Sequence, residues 1–189
     1  MRIIRKKEYN ITTWSGGTTT EIYLDPEEGD YRRRQFDYRI SSATIEVEES
    51  DFTVLPGIER VILPLENRML LLHGEEEVLL SPYESYRFSG ERSTRSRGIN
   101  RDFNLMLNHG VHGDIEVITI GKETSIIVAA ENNLYYYDQG KGTIEIGQEV
   151  MFPGDSILVK GEECIELVNN NHSDVTLIKV VMSDLGNSS

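Results

Sequence analysis

Residues 69–84, MLLLHGEEEVLLSPYE, contain two short apolar runs, Met69–Leu72 and Val78–Leu80, separated by a turn centred on glycine and followed by a proline turn. Each run is too short for a typical helix and is closed by turn-forming residues, which indicates two strands of a sheet. Similar short runs recur along the chain, and no stretch of ten residues keeps a helical period. The sequence therefore predicts an all-β fold.

The same order of strand, glycine turn, strand and proline turn returns at residues 134–155, LYYYDQGKGTIEIGQEVMFPGD. This architectural repeat predicts two similar small barrels in one chain. We expect Met69–Leu80 and Leu134–Ile146 to occupy equivalent places in these barrels, which would be joined near His109–Gly113. The predicted domains are residues 1–110 and residues 111–189.

Composition narrows the class of protein. The chain has 189 residues, of which 38% are hydrophobic, and its 19 basic and 32 acidic residues give a net charge of −13. This charge argues against nucleic acid and against anionic membrane surfaces as partners. The single cysteine, Cys164, cannot form an internal disulfide, which fits a reducing compartment. With no apolar signal segment near the first residue, we expect a cytoplasmic protein.

The most unusual stretch is Trp14–Ile22, WSGGTTTEI, in which two glycines precede three threonines and a glutamate. Glycines allow the backbone to approach a ligand closely, and alternation along a strand puts Thr19 and Glu21 on one face. A tight turn followed by an edge strand rich in threonine explains the same pattern without a ligand. The residues alone favour this second interpretation, in which Trp14 is a core or lid aromatic residue.

The segment Phe36–Val47 is predicted to be one long strand in which Arg39 and Ser41 share a phase with the apolar residues Ala43 and Ile45. That phase is expected to face inward. An inward arginine requires a partner, because a buried charge without one is costly. The partner of Arg39 is either a protein carboxylate at the barrel mouth or the anionic group of a ligand.

The segment Arg101–Met106 has two possible phases. If Asp102 and Asn104 face inward, they add a carboxylate and an amide to the pocket. If Phe103 and Leu105 face inward, the segment contributes only to the core. Apolar character favours the second phase, so the residues alone do not place Asp102 and Asn104 in a site.

Histidine spacing argues against a metal site. The chain has four histidines and no His-x-His pair, and His109 and His112 lie in a glycine-rich turn. A structural or exposed role is expected for these two histidines, and no metal or other cofactor is predicted.

Four blocks together resemble the HutD/Ves family in residue type, order and approximate spacing. They are Trp14–Ile22, Phe36–Ala43, Phe52–Arg60 and Arg101–Asn104. The chain differs from the family's usual pattern at Ser15, where the family often has asparagine, and at Thr20, where it often has arginine. The resemblance implies a bicupin fold, with two cupin-like β-barrels in one chain.

The resemblance also has functional implications. It implies a link to histidine utilisation in some bacteria, where family members are proposed to regulate the pathway or to sense one of its degradation intermediates. No enzymatic activity is established for the family as a whole. It implies that Trp14 and Arg60 belong to the site. The methionine that follows the family's Arg-Asp-Phe-Asn block favours the phase in which Asp102, Asn104 and Met106 face inward.

Three hypotheses follow from the residues and the resemblance. The leading one is a non-catalytic protein that binds a small anionic metabolite, such as a formylated or imino amino acid, with Arg39 as the anion clamp. Its hydrogen-bonding wall would consist of Thr19, Glu21, Ser41, Asp102 and Asn104. The second is a metal-free isomerase or hydrolase that uses Glu21 and Asp102 as an acid–base pair. The third is an interaction module whose barrels only form a homodimer.

Overall fold

The computed structural model describes residues 1–128, 132–161 and 164–183. After a first strand, β1 (Arg2–Ile4), and one 3-10 helical turn at Lys6–Glu8, every regular element in these residues is a β-strand, which confirms the all-β prediction. None of the described helical segments has the length and apolar composition needed to cross a membrane. The chain divides into an N-terminal unit, Tyr9–Val111, and a C-terminal unit that combines Met1–Glu8 with the chain from His112 onward.

Ten strands build the N-terminal unit: β2 (Asn10–Trp14), β3 (Gly17–Asp25), β4 (Tyr38–Ile45), β5 (Glu49–Asp51), β6 (Glu59–Pro64), β7 (Met69–His73), β8 (Glu76–Leu80), β9 (Tyr86–Ser89), β10 (Arg95–Arg97) and β11 (Asn100–Leu107). They form a six-stranded sheet, in the order β2-β3-β4-β11-β6-β9, and a four-stranded sheet, β5-β10-β7-β8. Ile45 and Ile62 of the larger sheet share one apolar core with Met69, Leu71 and Leu80 of the smaller sheet.

Eight further strands follow in the C-terminal unit: β12 (His112–Ile120), β13 (Thr124–Val128), β14 (Asn133–Gln139), β15 (Ile144–Ile146), β16 (Glu149–Met151), β17 (Ser156–Val159), β18 (Ile165–Asn169) and β19 (Val175–Ser183). They form the sheets β1-β17-β14-β19-β12 and β13-β18-β15-β16. Tyr135, Tyr137 and Leu177 of the first sheet pack with Ile144 and Leu167 of the second.

The unit boundary differs from the predicted domains at the start of the chain. The prediction assigned residues 1–110 to one domain, whereas the first eight residues belong to the C-terminal unit. The reason is that β1 pairs antiparallel with β17, and Ile3 packs against the core of that unit. The guanidinium of Arg5 adds an ion pair to Asp155 at 3.0 Å.

The predicted repeat exists, but its alignment was wrong by one strand. The order β4-β11-β6-β9 beside β5-β10-β7-β8 recurs as β12-β19-β14-β17 beside β13-β18-β15-β16. The hairpin β7–β8 therefore corresponds to β15–β16, whereas Leu134–Tyr137 lies in β14, the counterpart of β6. The misalignment arose because β16 has three residues and leaves no clear apolar run. The two proline turns do correspond, since they precede β9 and β17.

Gly17 sits where β3 starts beside β4. Its φ of 147° is one that residues with a side chain rarely adopt, and a Cβ there would lie 1.9 Å from the carbonyl oxygen of Thr44. The backbones of the two paired strands therefore approach each other only because this residue has no side chain.

Replacing this glycine tests that constraint. Gly17→Ala should lower the free energy of unfolding by about 3 kcal/mol, because it adds overpacking to an unfavourable backbone angle. Gly57→Ala is the control, since Gly57 also has a positive φ of 77° but nothing within 4 Å of the added Cβ. Urea denaturation measures both variants, and equal losses of stability would show that crowding at Thr44 is unimportant.

Candidate functional site

A cavity of about 400 Å³ lies in the N-terminal unit. This volume is in the range of pockets that hold small molecules. The cavity is lined by every residue predicted for the site except Glu21: Trp14, Thr19, Arg39, Ser41, Arg60, Asp102 and Asn104. Residues chosen from four separated stretches of sequence thus meet around one space.

Register between β4 and β11 decides which side chains face the cavity. Ser41 lies opposite Asn104, and Ala43 lies opposite Asp102. Because directly paired residues of adjacent strands point to the same face, the hydroxyl, amide and carboxylate belong to one surface. Phe103 lies on the other face of β11 and is also fully buried. Apolar character alone therefore favoured the wrong phase, whereas the phase implied by the family resemblance is the one observed.

Two arginines lie on the same surface with one methionine between them. Met106 pairs with Arg39 of β4 on one side and with Arg60 of β6 on the other. Both arginines are largely buried, at 7% and 6% exposure. The cavity therefore contains two guanidinium groups in a protein whose net charge is −13.

Arg39 is held in place by neighbouring side chains. Its Nε donates to Glu21 Oε2 at 2.7 Å and its Nη1 donates to Ser41 Oγ at 3.3 Å. Its guanidinium also lies 4.0 Å from the centre of the Tyr31 ring, a cation–π distance. Glu21 does not line the cavity, so it acts on the site by holding Arg39 in place.

Arg60 has a different environment from Arg39. Its guanidinium lies 4.6 Å from the ring centre of Phe52 and 5.4 Å from that of Phe88. Its Nε is buried and has no hydrogen-bond partner among the described residues. Burial lowers the pKa of Arg60 to about 10, so the side chain remains charged at neutral pH. The positive charge of Arg60 thus lies at the cavity wall, although Nε itself is inaccessible to solvent.

Asp102 supplies the opposing charge. It is 3% exposed, and its Oδ1 accepts a hydrogen bond from the backbone N–H of Ala43 at 3.3 Å. Burial raises the pKa of Asp102 to about 6, although the nearby charge of Arg60 acts in the other direction. Asn104 lies two residues along the same strand, and its Oδ1 is buried without a donor in the described part of the chain.

Gly16 and Gly17 make room for other parts of the protein, not for a ligand. Trp14 folds over Gly16, where a Cβ would lie 2.1 Å from the indole ring, and Gly17 makes room for β4. Trp14 Nε1 also donates to Thr19 Oγ1 at 3.2 Å. The predicted tight turn is thus observed, but the threonine-rich strand that follows it, β3, is not an edge strand, because it lies between β2 and β4. Trp14 and Thr19 both line the cavity.

Several lining residues were missed because they come from loops or short strands. They are Thr12, Tyr31, Arg32, Ser50, Asp51 and Thr53. Tyr31 and Arg32 belong to the polar segment Asp25–Gln35, whose proline, glycine and charged residues are typical of a surface loop. The one available signal was Tyr31 itself, an aromatic residue isolated among charged ones.

No metal centre is evident in the part of the chain that the structure describes. There, no three His, Cys, Asp or Glu residues are grouped so that they could hold an ion. His109 and His112 are both exposed.

Comparison with known proteins places the chain among related sequences. The HutD family profile matches residues 6–177. A relative described as an uncharacterised 21.2 kDa protein in the hutC 3' region of Pseudomonas putida is 34% identical over 113 residues. That match covers 56% of this chain and 57% of the relative, so only about half of the relative's length is compared.

Solved structures show the fold. A conserved protein of unknown function from Pseudomonas aeruginosa PAO1 has a TM-score of 0.77 at 23% identity, covering 97% of this chain and 98% of that one. HutD from Pseudomonas fluorescens SBW25 has a TM-score of 0.71 at 23% identity, covering 97% and 99%. The pirin YhhW from Escherichia coli, at 11% identity, has a TM-score of 0.69 and covers 97% and 99%. These likenesses confirm the predicted bicupin fold.

The pKa of Asp102 has a measurable consequence for stability. Because this pKa is higher in the folded chain than the value of about 3.9 in an unfolded one, the folded state binds the proton more tightly. Asp102 therefore favours folding most below pH 4, and this contribution is lost as the pH rises through about 6. From pH 4 to pH 7 the wild type should lose about 2 kcal/mol relative to Asp102→Asn, which does not titrate.

Urea denaturation at each pH measures this difference. The control is Asp51→Asn, because Arg95 donates a hydrogen bond to Asp51 and lowers its pKa. Between pH 4 and pH 7 the wild type should therefore gain stability relative to Asp51→Asn, whereas it loses stability relative to Asp102→Asn. A difference between wild type and Asp102→Asn that is constant with pH would contradict the buried, proton-binding environment.

Removing Arg39 should leave the carboxylate of Glu21 without its ion-pair partner. In Arg39→Met the Glu21 side chain, which is only 21% exposed, would carry an unpaired charge. We expect a loss of about 3–5 kcal/mol in the free energy of unfolding, as for broken buried pairs. Arg87→Met, at an exposed ion pair with Glu59, should cost about 0.5 kcal/mol or less. Equal losses in thermal or urea unfolding would show that burial of the Arg39 pair is unimportant.

Proposed function

The chain belongs to the HutD family, and we propose that it is a non-catalytic protein that binds a small anionic metabolite in the cavity of the N-terminal unit. The metabolite class is a carboxylate derived from an amino acid, such as a formylated or imino compound. In this proposal, binding reports the level of a histidine-degradation intermediate and contributes to regulation of that pathway.

The single observation that carries the proposal is the state of Arg60. A buried guanidinium normally has its N–H groups paired, because an unsatisfied buried donor is costly. Arg60 Nε has no such partner among the described residues, although the side chain is 6% exposed. Arg60 also lines the cavity, so a carboxylate bound there would offset this buried charge through a charge-assisted hydrogen bond with the guanidinium.

The rest of the cavity is suited to a small polar anion. Ser41 offers a hydroxyl and Asn104 an amide, on the surface that also carries Arg60. Arg39 is already paired with Glu21, which compensates its charge, so in the proposal it is secondary to Arg60. Phe52 packs against the face of Arg60 and helps to keep its guanidinium in one orientation.

The metabolic context comes from the family and its relatives. The matched relative in Pseudomonas putida is named for its position in the hutC 3' region, and the structure from Pseudomonas fluorescens carries the words "Formate condition" in its name. These names motivate two probes for this chain: intermediates of histidine degradation, which carry carboxylates, and formate, the smallest carboxylate.

An enzyme remains the second candidate because of one observation. The pKa of Asp102 is raised by burial to about 6, which suits a general acid or base near neutral pH. Its proposed partner Glu21 does not line the cavity and is held by Arg39 at 2.7 Å. An isomerase or hydrolase would therefore rely on Asp102 and on groups other than Glu21.

Isothermal titration at pH 7 tests the binding proposal. The panel is formate, histidine, urocanate, imidazolone propionate and N-formylglutamate, and at least one carboxylate should bind. Arg60→Met should weaken that binding by about 100-fold, because it removes a charge-assisted contact worth roughly 2–3 kcal/mol. Because Arg60→Met also removes the nearby positive charge from buried Asp102, circular dichroism must first show that the variant is folded before its affinity is compared with that of the wild type.

Arg87→Met serves as the control in this titration, because Arg87 lies on β9 outside the cavity lining. Its affinity for the same carboxylate should match that of the wild type. If no member of the panel bound at millimolar concentration, or if Arg60→Met bound as well as the wild type, the proposal would be wrong. Conversion of a bound ligand, followed by NMR, would favour the enzyme instead.

A further inference from the structure

The outermost strand of the six-stranded sheet, β2, is an edge without the usual protection. β2 pairs with β3, and no described strand pairs with its other side. Asn10, Ile11, Thr12 and Thr13 are all exposed, Ile11 at 66%. Edges of natural sheets are normally protected by charges, prolines or bulges, because free backbone groups attract another strand. The sequence of β2, NITTW, has neither a charge nor a proline.

The other edge strands of this unit follow the usual rule. Arg87 lies on β9, Glu49 and Asp51 lie on β5, and Glu76 and Glu77 lie on β8. The register between β2 and β3 is also continuous from Asn10 to Trp14, so no bulge interrupts the edge. β2 is therefore the one uncharged edge of the N-terminal unit.

The hairpin geometry shows which backbone groups point outward. Ser15 and Gly16 form the two-residue turn between β2 and β3, so Trp14 and Gly17 are its closing, hydrogen-bonded pair. Hydrogen-bonded and non-hydrogen-bonded pairs alternate along antiparallel strands. Thr12 thus bonds to β3, whereas the N–H and C=O groups of Ile11 and Thr13 point away from the sheet.

We propose that two copies of this chain associate through β2, with the strands antiparallel and Thr12 of one copy opposite Thr12 of the partner subunit. In this register Ile11 lies opposite Thr13 of the partner subunit, and the reverse pair forms by symmetry. The outward backbone groups of both residues are then paired, which gives four hydrogen bonds across the two-fold axis. The exposed side chain of Ile11 is covered by the same contact.

Charge supports this choice of surface and partner. Two copies that each carry a net charge of −13 repel one another, and the repulsion is smallest where neither copy presents a charged side chain. Along β2 and its flanking residues Tyr9 and Ser15, the proposed register brings no like charges together. Thr12 also lines the cavity, so the contact would adjoin the cavity wall.

Cysteine crosslinking tests the register. In a background of Cys164→Ser, which removes the exposed native thiol, Thr12→Cys should form an intermolecular disulfide under mild oxidation. The reason is that non-hydrogen-bonded pairs have Cα atoms about 4.5 Å apart, within disulfide range. Thr13→Cys is the matched control, because two copies of residue 13 would be offset by two positions, at about 8 Å. Non-reducing gels should show dimer for the first variant and mainly monomer for the second.

Sedimentation equilibrium of the unmodified chain gives an independent test. The protein should form dimers as its concentration rises, and Thr13→Pro should be monomeric because it removes an outward N–H that β3 does not use. Thr13→Val retains this N–H and should still dimerise. Equal crosslinking at positions 12 and 13, a chain that is monomeric at all concentrations, or a dimer that survives Thr13→Pro would each overturn the proposal.

Discussion

The constraint on which the site depends is the in-register pairing of three neighbouring strands, β4, β11 and β6. It places Arg39, Met106 and Arg60 in one row on a buried face, so two arginine side chains must be accommodated on either side of one methionine. The protein satisfies one of them with Glu21. The other, Arg60, lies against aromatic faces and lines the cavity, and its buried Nε has no hydrogen-bond partner among the described residues.

This arrangement gives the two arginines different roles. Removing Arg39 would break an ion pair inside the protein, so its principal effect should be on stability. Arg60 faces the nearby charge of Asp102 without a hydrogen bond from its Nε, so its charge can also be directed at a ligand. Asp102 limits the positive potential of the cavity and can itself take up a proton, since burial raises its pKa to about 6. The cavity therefore combines a fixed positive charge with a negative charge that depends on pH.

Much of this could be predicted from alternation along single strands. The inward phase of Arg39 and Ser41 follows from the apolar residues in the same phase, and the all-β class follows from short runs between turns. Pairing between strands could not be predicted in this way. β11 is buried on both faces, so the apolar character of Phe103 favoured the wrong phase for Asp102. The repeat was misaligned by one strand because β16 has only three residues. Tyr31 could not be placed, because its contact with Arg39 depends on the path of a loop.

The most direct test of the account is side-chain NMR of Arg60 in protein labelled with ¹⁵N-arginine. The Nε–H signal, assigned by its loss in Arg60→Met, should shift and saturate as a carboxylate ligand is added, because the guanidinium to which it belongs acquires an anionic neighbour. The Nε–H signal of Arg87, on the exposed strand β9, should remain unchanged. A carboxylate that binds to the protein while leaving the Arg60 signal unmoved would contradict the assignment of Arg60 as the anion-binding group.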